Sequence, residues 1–374
     1  MIMPKRVLVQ GTGLIGTSVA LALRDKGTEV WLSDADPATA RLAADLGAGT
    51  VIADLRDAKG IADIALLAMP PAVVGRQLAH AQDCAVADVY TDVASVKVLP
   101  ARHARELGCD LETYVPAHPL AGRERHGPAA AQADLFLGRT WALCPLPETA
   151  PDAVDAVTAL AVACGADPVV TDPETHDRWV ALVSHAPHLV AVAMAARLAP
   201  SSVPADALKL AGQGLRDVTR IAAGDSSLWT QILAANAGPV AEVVAAVAED
   251  LAAVARLLGG LPAGTTAAVP PTTGTGASGV TSLLDRGREG AGRIPGKHGG
   301  KPRNFTVVQV VLADRPGELA RLFNAAGAAG VNIEDIRLEH SPGLPVGVAE
   351  LSVRPDQAGR LLDAMEVGGW PVRR

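Results

Sequence analysis

Residues 5–27 read KRVLVQGTGLIGTSVALALRDKG. The apolar run before the first glycine predicts a short buried strand, and the periodic apolar residues after the last glycine of the motif predict a helix. Gly11, Gly13 and Gly16 have the GxGxxG spacing. Gly11 permits a tight turn, Gly13 lets the backbone approach a pyrophosphate, and Gly16 lets the helix pack on its strand. The stretch therefore predicts a Rossmann-type dinucleotide-binding domain, and the alternative is a glycine turn in another kind of α/β domain.

The predicted second strand, EVWLSD, ends at Asp34, 18 residues after Gly16. A carboxylate at this place can accept hydrogen bonds from both ribose hydroxyls of an adenosine and would repel a 2′-phosphate. Because no arginine follows it directly, NAD is favoured over NADP. Leu14 and Ile15 begin the helix whose N-terminus faces the anion, so they join the predicted cofactor site.

The strand–helix alternation continues, with strands predicted near 61–70, 85–95 and 139–145. In an open parallel sheet, ligands bind outside the carboxyl ends of the strands. Met69 and Ser95 lie at or just after such ends and are therefore expected to face one crevice. Met69 is counted with the cofactor site.

His118 lies in YVPAHPLAGRERHG, residues 114–127, between Pro116 and Pro119. This Pro- and Gly-rich stretch predicts a loop. A histidine with an ordinary pKa can take a proton near pH 7, so His118 is a candidate general base. The alternative is a surface-loop histidine without a catalytic role.

Residues 169–260 are rich in Ala, Val and Leu and predict long helices. Such apolar helices have more surface than one small bundle can bury, so a homodimer is expected. Arg216 and Arg220 are four residues apart, which predicts one helix face that can bind carboxylates. The alternative is an exposed face on which Asp217 is their local partner. His185 and His188 could bind a metal, but no third ligand has a suitable spacing, and no metal is expected.

The chain has 374 residues, a net charge of −7 and 49% hydrophobic residues. These values predict a multidomain cytoplasmic protein without a nucleic-acid surface. Neither a signal peptide nor a membrane span is expected, because charged residues interrupt the apolar runs. The four cysteines form no CxxC pair, so a reducing compartment is favoured. The predicted parts are a Rossmann domain (1–168), a helical substrate and dimerisation domain (169–260), a linker (261–303) and a βαββαβ module (304–374).

Five motifs occur in a fixed order: GTGLIGTS, TDVASVK, HPLAG, SHAPH and RDVTRIA. Together they resemble the prephenate dehydrogenase family, over about residues 5–260. The C-terminal DRPGELARLF and GVNIEDI resemble an ACT domain, a regulatory fold. The implied fold is an α/β Rossmann-type NAD-binding domain, followed by an all-α dimerisation domain and a C-terminal α+β (βαββαβ) ACT domain.

The resemblance implies an NAD-dependent oxidative decarboxylation of prephenate to 4-hydroxyphenylpyruvate in tyrosine biosynthesis. His118 would accept the proton of the substrate hydroxyl, and Ser95 would bind that hydroxyl and orient His118. Arg220 and His188 would bind the substrate, as would Arg216, which stands where the family usually has lysine. Glu124 would lie at the pocket mouth, beside Arg123, which stands where a small hydroxyl residue is common. The alternatives are an arogenate dehydrogenase, another hydroxyacid dehydrogenase of this fold, and an inactive NAD-binding regulator.

The ACT resemblance also predicts an amino-acid effector site, with tyrosine as the simplest feedback inhibitor. The residues expected to hold it are Asp314, Arg315, Pro316, Gly317, Asn332 and Ile333. The first four turn the chain before a helix N-terminus and would face the last two across an ACT–ACT dimer. The alternative is an ACT domain that only supports assembly.

Overall fold

The structure, a computed structural model, describes residues 3–122, 126–199, 203–260, 275–294, 305–340 and 345–373. The chain forms two compact units, residues 1–249 and 250–374, which are described separately. The domain boundaries predicted from the sequence remain a proposal.

A six-stranded parallel sheet forms the first part of the N-terminal unit. Its strands are β1 (Arg6–Gln10), β2 (Glu29–Ser33), β3 (Thr50–Val51), β4 (Ala62–Leu67), β5 (Ala87–Asp92) and β6 (Tyr114–Val115). Its helices are α1 (Leu14–Arg24), α2 (Pro37–Asp45), α3 (Pro71–Asp83) and α4 (Val98–Glu106). The strand order β3-β2-β1-β4-β5-β6 is that of a doubly wound nucleotide-binding fold. The predicted Rossmann architecture is confirmed.

Both faces of this sheet are covered, as expected when parallel strands are joined by helices. Val7 and Val9 of β1 are fully buried in one apolar cluster, and Leu8 is fully buried in the other. The near-continuous apolar sequence of β1 therefore follows from burial on both sides.

A smaller three-stranded sheet follows, made of β7 (Ala117–Pro119), β8 (Thr140–Leu143) and β9 (Asp167–Val170), with α5 (Pro151–Ala163) between β8 and β9. His118 lies in the middle of β7 and pairs with Ala142. The prediction of a loop at this residue was therefore wrong. Pro119 can stand in β7 because β7 is an edge strand of this sheet, where a missing backbone donor is tolerated.

Helices dominate the rest of the N-terminal unit. They are α6 (Pro173–Val180), a π-helical segment (Ala181–His185), α7 (Ala186–Ala196), α8 (Gln213–Thr219), a 3₁₀ turn (Arg220–Ala223), α9 (Ser226–Ala235) and α10 (Ala237–Gly259), which runs on into the second unit. The π segment precedes Pro187, which has no N–H for an ordinary helical bond. There the N–H of Ala186 bonds to the carbonyl of Ala181. A helix interrupted in this way often marks a functional site.

The stretch Pro173–Ala196 is long and apolar enough to cross a membrane by length and composition. That is weak evidence, because the core helix of a soluble protein passes the same test.

The C-terminal unit contains a two-layer βαββαβ fold. Its elements after α10 are α11 (Thr275–Gly292), β10 (Thr306–Ala313), α12 (Glu318–Ala328), β11 (Asp335–His340), β12 (Val346–Val353), α13 (Ala358–Val367) and β13 (Val372–Arg373). The sheet order is β11-β12-β10-β13, and all of its pairs are antiparallel.

The prediction that residues 261–303 form only a linker was wrong for α11, which is an 18-residue helix. Arg286 on α11 donates to Asp250 on α10 at 2.8 Å, so a contact distant in sequence supports a glycine-rich helix.

Candidate active site

The glycine loop between β1 and α1 has a conformation that side chains would block. Gly11 has φ of 93°, and a Cβ atom there would lie 2.1 Å from the carbonyl oxygen of Ala68. A Cβ on Gly16 would lie 2.0 Å from the carbonyl oxygen of Gly11. These two glycines are therefore required by the protein's own packing.

Gly13 differs, because apart from its chain neighbours no atom of the described residues lies within 4 Å of the position that its Cβ would take. It precedes α1, whose N-terminus has neither a side-chain cap nor an acidic residue in its first turn. Leu14 is buried and Ile15 half-buried at this helix end. The open space and the free N–H groups suit a pyrophosphate, so the loop fits a dinucleotide.

Asp34, directly after β2, is hydrogen-bonded to the same loop. One carboxylate oxygen accepts from the backbone N–H of Thr12 at 2.6 Å and from its hydroxyl at 2.9 Å. The other accepts from the N–H of Asp36 at 2.9 Å. Met69 lies half-buried after β4. The carboxylate is thus held beside the glycine loop, where the sequence places the adenosine ribose.

His118 on β7 is hydrogen-bonded through one ring nitrogen. Its Nδ1 lies 3.0 Å from Nε2 of His176 on α6, and the two rings meet edge to face at 74°. No hydrogen bond to Nε2 of His118 occurs within the described residues. This second ring nitrogen is therefore available to a ligand.

Asp177, next in sequence to His176, holds that histidine in place. Its Oδ1 lies 2.8 Å from Nδ1 of His176 and also accepts from the N–H of Lys97 at 2.8 Å. Its Oδ2 accepts from the N–H of Val98 at 2.9 Å. Asn236 donates to the backbone carbonyl of Asp177 at 2.8 Å. The carboxylate thus connects α6 to the N-terminus of α4.

Lys97 connects the end of β5 to β7. Its ammonium group donates to Asp92, with which it forms a fully buried ion pair, and to the carbonyl oxygen of Ala117 at 2.5 Å. Tyr114 donates its hydroxyl to the second oxygen of Asp92 at 2.7 Å. Because Ala117 precedes His118, this buried network positions the histidine's strand.

Two further histidines come from the SHAPH motif. His188 on α7 stacks on Trp229 of α9, with ring centres 3.5 Å apart and planes 5° apart. His185 lies 3.1 Å from the side-chain amide of Asn236. Burial lowers the pKa of His185 to about 4 and also lowers the pKa of His188. Both rings are therefore neutral at pH 7 and can accept or donate hydrogen bonds.

The structure shows no hydrogen bond between His118 and the remaining predicted residues that it describes. Ser95 lies half-buried between β5 and α4, and within the described residues its hydroxyl has no hydrogen bond. Arg216 and Arg220 are exposed and form no ion pair in the described part of the chain. The helix α8 ends at Thr219, so Arg220 begins the 3₁₀ turn, and this turn packs against α7. Glu124 and Arg123 lie outside the described residues.

Sequence reasoning missed four residues of the site: His176, Asp177, Trp229 and Asn236. The adjacent pair His176–Asp177 is the available signal, since two titratable residues begin an otherwise apolar helical stretch. The described residues contain no group of three or more His, Cys, Asp or Glu side chains that could hold a metal ion.

The predicted effector residues lie in the C-terminal unit. Asp314, Arg315, Pro316 and Gly317 form an exposed turn before α12, and Gly317 caps that helix with φ of 86°. Asn332 and Ile333 instead line a cavity of about 380 Å³ beside α12 and β11. Residues of the turn do not line this cavity, and Arg315 donates to Glu318 at 2.9 Å. A single chain therefore does not bring the two predicted groups into one cavity.

When kcat/KM is plotted against pH, its decrease on the acid side should be centred below about pH 6.5, the ordinary pKa of histidine. Burial lowers the pKa of His118 well below its ordinary value, and the nearby His176, Lys97 and His185 act in the same direction. A base must be neutral to accept a proton, so a lowered pKa keeps His118 active as the pH falls past about 6.5, the ordinary value. The measurement is kcat/KM against pH. An acid limb centred above that value would contradict the assignment of His118 as a buried base.

A nucleotide-binding sheet with an open glycine loop provides a site for a redox cofactor, and a neutral histidine beyond its strands provides a base. Removal of a hydride and a proton from one substrate needs this pair, which is found in dinucleotide-dependent dehydrogenases. Two family models match, described as "Prephenate dehydrogenase, nucleotide-binding domain" over residues 19–170 and "Prephenate dehydrogenase, dimerization domain" over residues 172–260. The chain belongs to the prephenate dehydrogenase family.

Individual relatives agree with this family. The chain is 38% identical to "Probable prephenate dehydrogenase NovF" of Streptomyces niveus, over 98% of this chain and 99% of the relative. It is 31% identical to the cyclohexadienyl dehydrogenase of Zymomonas mobilis, over 66% of this chain and 86% of the relative. The crystal structure of Aquifex aeolicus prephenate dehydrogenase in complex with hydroxyphenyl propionate and NAD+ is 25% identical, with a TM-score of 0.65, over 78% of this chain and 97% of that chain.

These comparisons confirm two predictions made from the sequence, the enzyme class and the cofactor. The protein is an NAD-dependent dehydrogenase of the prephenate dehydrogenase family. The helical dimerisation domain after the Rossmann domain is confirmed as well.

Proposed function

We propose that the chain catalyses the NAD-dependent oxidative decarboxylation of prephenate to 4-hydroxyphenylpyruvate and CO2, a step of tyrosine biosynthesis. The observation that carries this proposal is the state of His118. Its Nδ1 is hydrogen-bonded to His176, its Nε2 has no hydrogen bond to any described residue, and its strand packs beside β5 of the nucleotide-binding sheet. A neutral imidazole at this place is suited to take a hydroxyl proton.

Prephenate is a cyclohexadienol with a ring carboxylate, a pyruvyl side chain and a 4-hydroxyl group. Nε2 of His118 accepts the hydroxyl proton, and the electrons of the broken O–H bond form the new carbonyl bond. NAD+, when bound, supplies the acceptor for the hydride that leaves the same carbon. When the ring carboxylate leaves as CO2, the electrons of the broken C–C bond move through the ring to the new carbonyl oxygen. That oxygen takes the proton back from Nε2 of His118 and becomes the hydroxyl of the aromatic product. No second base is needed, because aromatisation drives that step.

Other side chains of this unit would bind and orient the substrate. The hydroxyl of Ser95, which has no hydrogen bond to any described residue, would hydrogen-bond the 4-hydroxyl group. Arg220, whose 3₁₀ turn packs against the helix of His188, would bind a substrate carboxylate. Arg216 would also bind the substrate, with the charge of the lysine that the family usually has there. Glu124, which lies outside the described residues, would act near the pocket mouth. These roles are supported by the matching motifs and by the absence of intramolecular ion pairs to either arginine in the described part of the chain.

Arogenate is the rival substrate, since it has the same ring with an amine in place of the pyruvyl ketone. The name of the Zymomonas mobilis relative, cyclohexadienyl dehydrogenase, keeps this alternative open. A steady-state assay of NADH production with each substrate separates the two. We expect the larger kcat/KM with prephenate. The opposite order would assign the enzyme to arogenate, and no NADH with either substrate would favour an inactive NAD-binding regulator.

A homodimer is the proposed assembly. Several apolar side chains of the helical region are exposed in the single chain, including Trp179 (54%), Leu182 (59%) and Val183 (65%). Exposed apolar surface of this kind is typical of a protein interface. Light scattering, which measures mass in solution, would show a single-chain mass if this proposal were wrong.

The βαββαβ module is proposed to be an ACT domain that binds an amino acid, most simply tyrosine. Support comes from its element order and from the cavity at Asn332 and Ile333, a size suited to a small ligand. Tyrosine should inhibit the full chain and raise its melting temperature. A chain without residues 303–374 should stay active and lose the inhibition. If tyrosine has neither effect on the full chain, the module has another effector or only supports assembly.

A further inference from the structure

Three side chains form a row of hydrogen bonds that ends at the proposed base. Nδ1 of His118 lies 3.0 Å from Nε2 of His176, and Nδ1 of His176 lies 2.8 Å from Oδ1 of Asp177. His176 and Asp177 are each 2% exposed. The proposed reaction uses only the first of these residues, and the other two come from a helix 58 positions further along the chain.

The chemistry of the three groups permits one direction of donation. Both side-chain oxygens of Asp177 accept backbone N–H groups, so this carboxylate acts as an acceptor and Nδ1 of His176 donates to it. In a neutral imidazole the other nitrogen is then an acceptor, so Nε2 of His176 accepts. Nδ1 of His118 must therefore carry the hydrogen. This leaves the lone pair of His118 on Nε2, the nitrogen that has no hydrogen-bond partner in the described part of the chain.

Asp177 can orient His176 in this way because its own position is determined by the backbone. Its two oxygens accept from the N–H groups of Lys97 and Val98, and its carbonyl accepts from Asn236. These bonds join it to α4 and to the start of α10. An orienting group whose own contacts are satisfied holds a catalytic histidine better than a mobile surface carboxylate would.

We propose that His176, oriented by Asp177, is a positioning residue that keeps His118 in the tautomer able to accept the substrate's proton. It also stabilises the imidazolium that forms. When the substrate O–H bond breaks and the Nε2–H bond of His118 forms, the Nδ1–H of His118 becomes a charge-assisted donor to His176. No proton leaves the pair in this step. The proposal rests on the proposed function of His118 and assigns the residue behind it.

The test compares two substitutions of His176. Glutamine can place its side-chain oxygen near the position of Nε2 and still accept from His118, whereas leucine cannot. The ring of His176 also borders a cavity of about 460 Å³, so either side chain can be accommodated. His176→Leu should lower kcat by about 10- to 100-fold, because the Nδ1–H donor of His118 is then buried without an acceptor. KM for NAD+ should stay within about twofold, because the glycine loop is unchanged. His176→Gln should recover most of the lost kcat.

The nitrogen NMR spectrum of labelled histidine gives a readout that a structural role would not change. Nε2 of His118, assigned by loss of its signal in His118→Asn, should be of the unprotonated type in the wild type and in His176→Gln. In His176→Leu it should move toward the protonated type. Wild-type kcat in His176→Leu, or an unchanged Nε2 signal, would overturn the proposal.

The wild-type assay separates this proposal from the proposed function. If the wild type produces no NADH with prephenate or arogenate, the proposed function fails first. The wild type and His176→Leu could both be active while His118→Asn is inactive. In that case the proposed function stands and only the role of His176 is wrong.

Discussion

His118→Asn should lower kcat with prephenate by about 10²–10⁴-fold, the usual contribution of a general base. Asparagine can keep the hydrogen bond to His176, because its side-chain amide can donate from a position close to that of Nδ1. It has no basic nitrogen at the position of Nε2. The substitution therefore removes the proton acceptor and leaves the strand pairing of β7 in place.

Steady-state NADH production checks this result, with NAD+ affinity measured in parallel by thermal shift. The matched control is His80→Gln, which changes an exposed histidine on α3 and should leave both quantities unchanged. His118→Asn could instead retain more than about a tenth of wild-type kcat. Such a decrease is smaller than that expected on loss of a general base, and another group would then have to take the proton.

The nucleotide-binding half of the molecule could be predicted from the sequence because its signals are local. The turn at Gly11, the open space at Gly13 and the close packing at Gly16 each depend on neighbours that the strand–loop–helix order already implies. The acidic residue at the end of β2 is equally local, and the structure places Asp34 against Thr12 of the loop. Spacing alone was sufficient for these residues.

The surroundings of His118 could not be predicted in the same way. Pro116 and Pro119 indicate a loop, but the partner strand β8 begins more than 20 residues later and turns the stretch into an edge strand. Likewise His176 and Asp177 lie far from His118 in sequence. Local periodicity carries no information about such long-range contacts.

The same limit explains the error in residues 261–303. Their glycine and proline content is typical of a linker, because isolated helices of such composition are unstable. In the described part of this stretch, α11 gains an ion pair from Arg286 to Asp250 and an i,i+3 pair between Asp285 and Arg288. The pair with Asp250 on α10 is a contact distant in sequence, which composition does not reveal.

Lys97→Met should lower the free energy of unfolding by about 3–5 kcal/mol, the cost of removing one partner of a buried ion pair. Lys97 and Asp92 have no exposed side-chain surface. Without the ammonium group, the donors that the described residues leave to the carboxylate of Asp92 are neutral: the hydroxyl of Tyr114 and the N–H of Ala94. The carbonyl of Ala117 also loses its donor, so the strand of His118 should loosen and kcat should fall together with stability. Urea unfolding followed by tryptophan fluorescence measures the loss.

The double variant Asp92→Asn/Lys97→Met separates loss of the charge pair from loss of the hydrogen bond to Ala117. It contains no buried charge at this place, and replacing a buried pair by neutral groups is often close to neutral in stability. We therefore expect it to be more stable than Lys97→Met alone, although it contains one more substitution. A double variant as unstable as the single one would show that Lys97 acts through its hydrogen bond to Ala117, because methionine keeps most of the packing of the lysine alkyl chain. In that case the Asp92 carboxylate would not need a counter-charge. The contact between β5 and β7, the strand of His118, would then not depend on the buried ion pair.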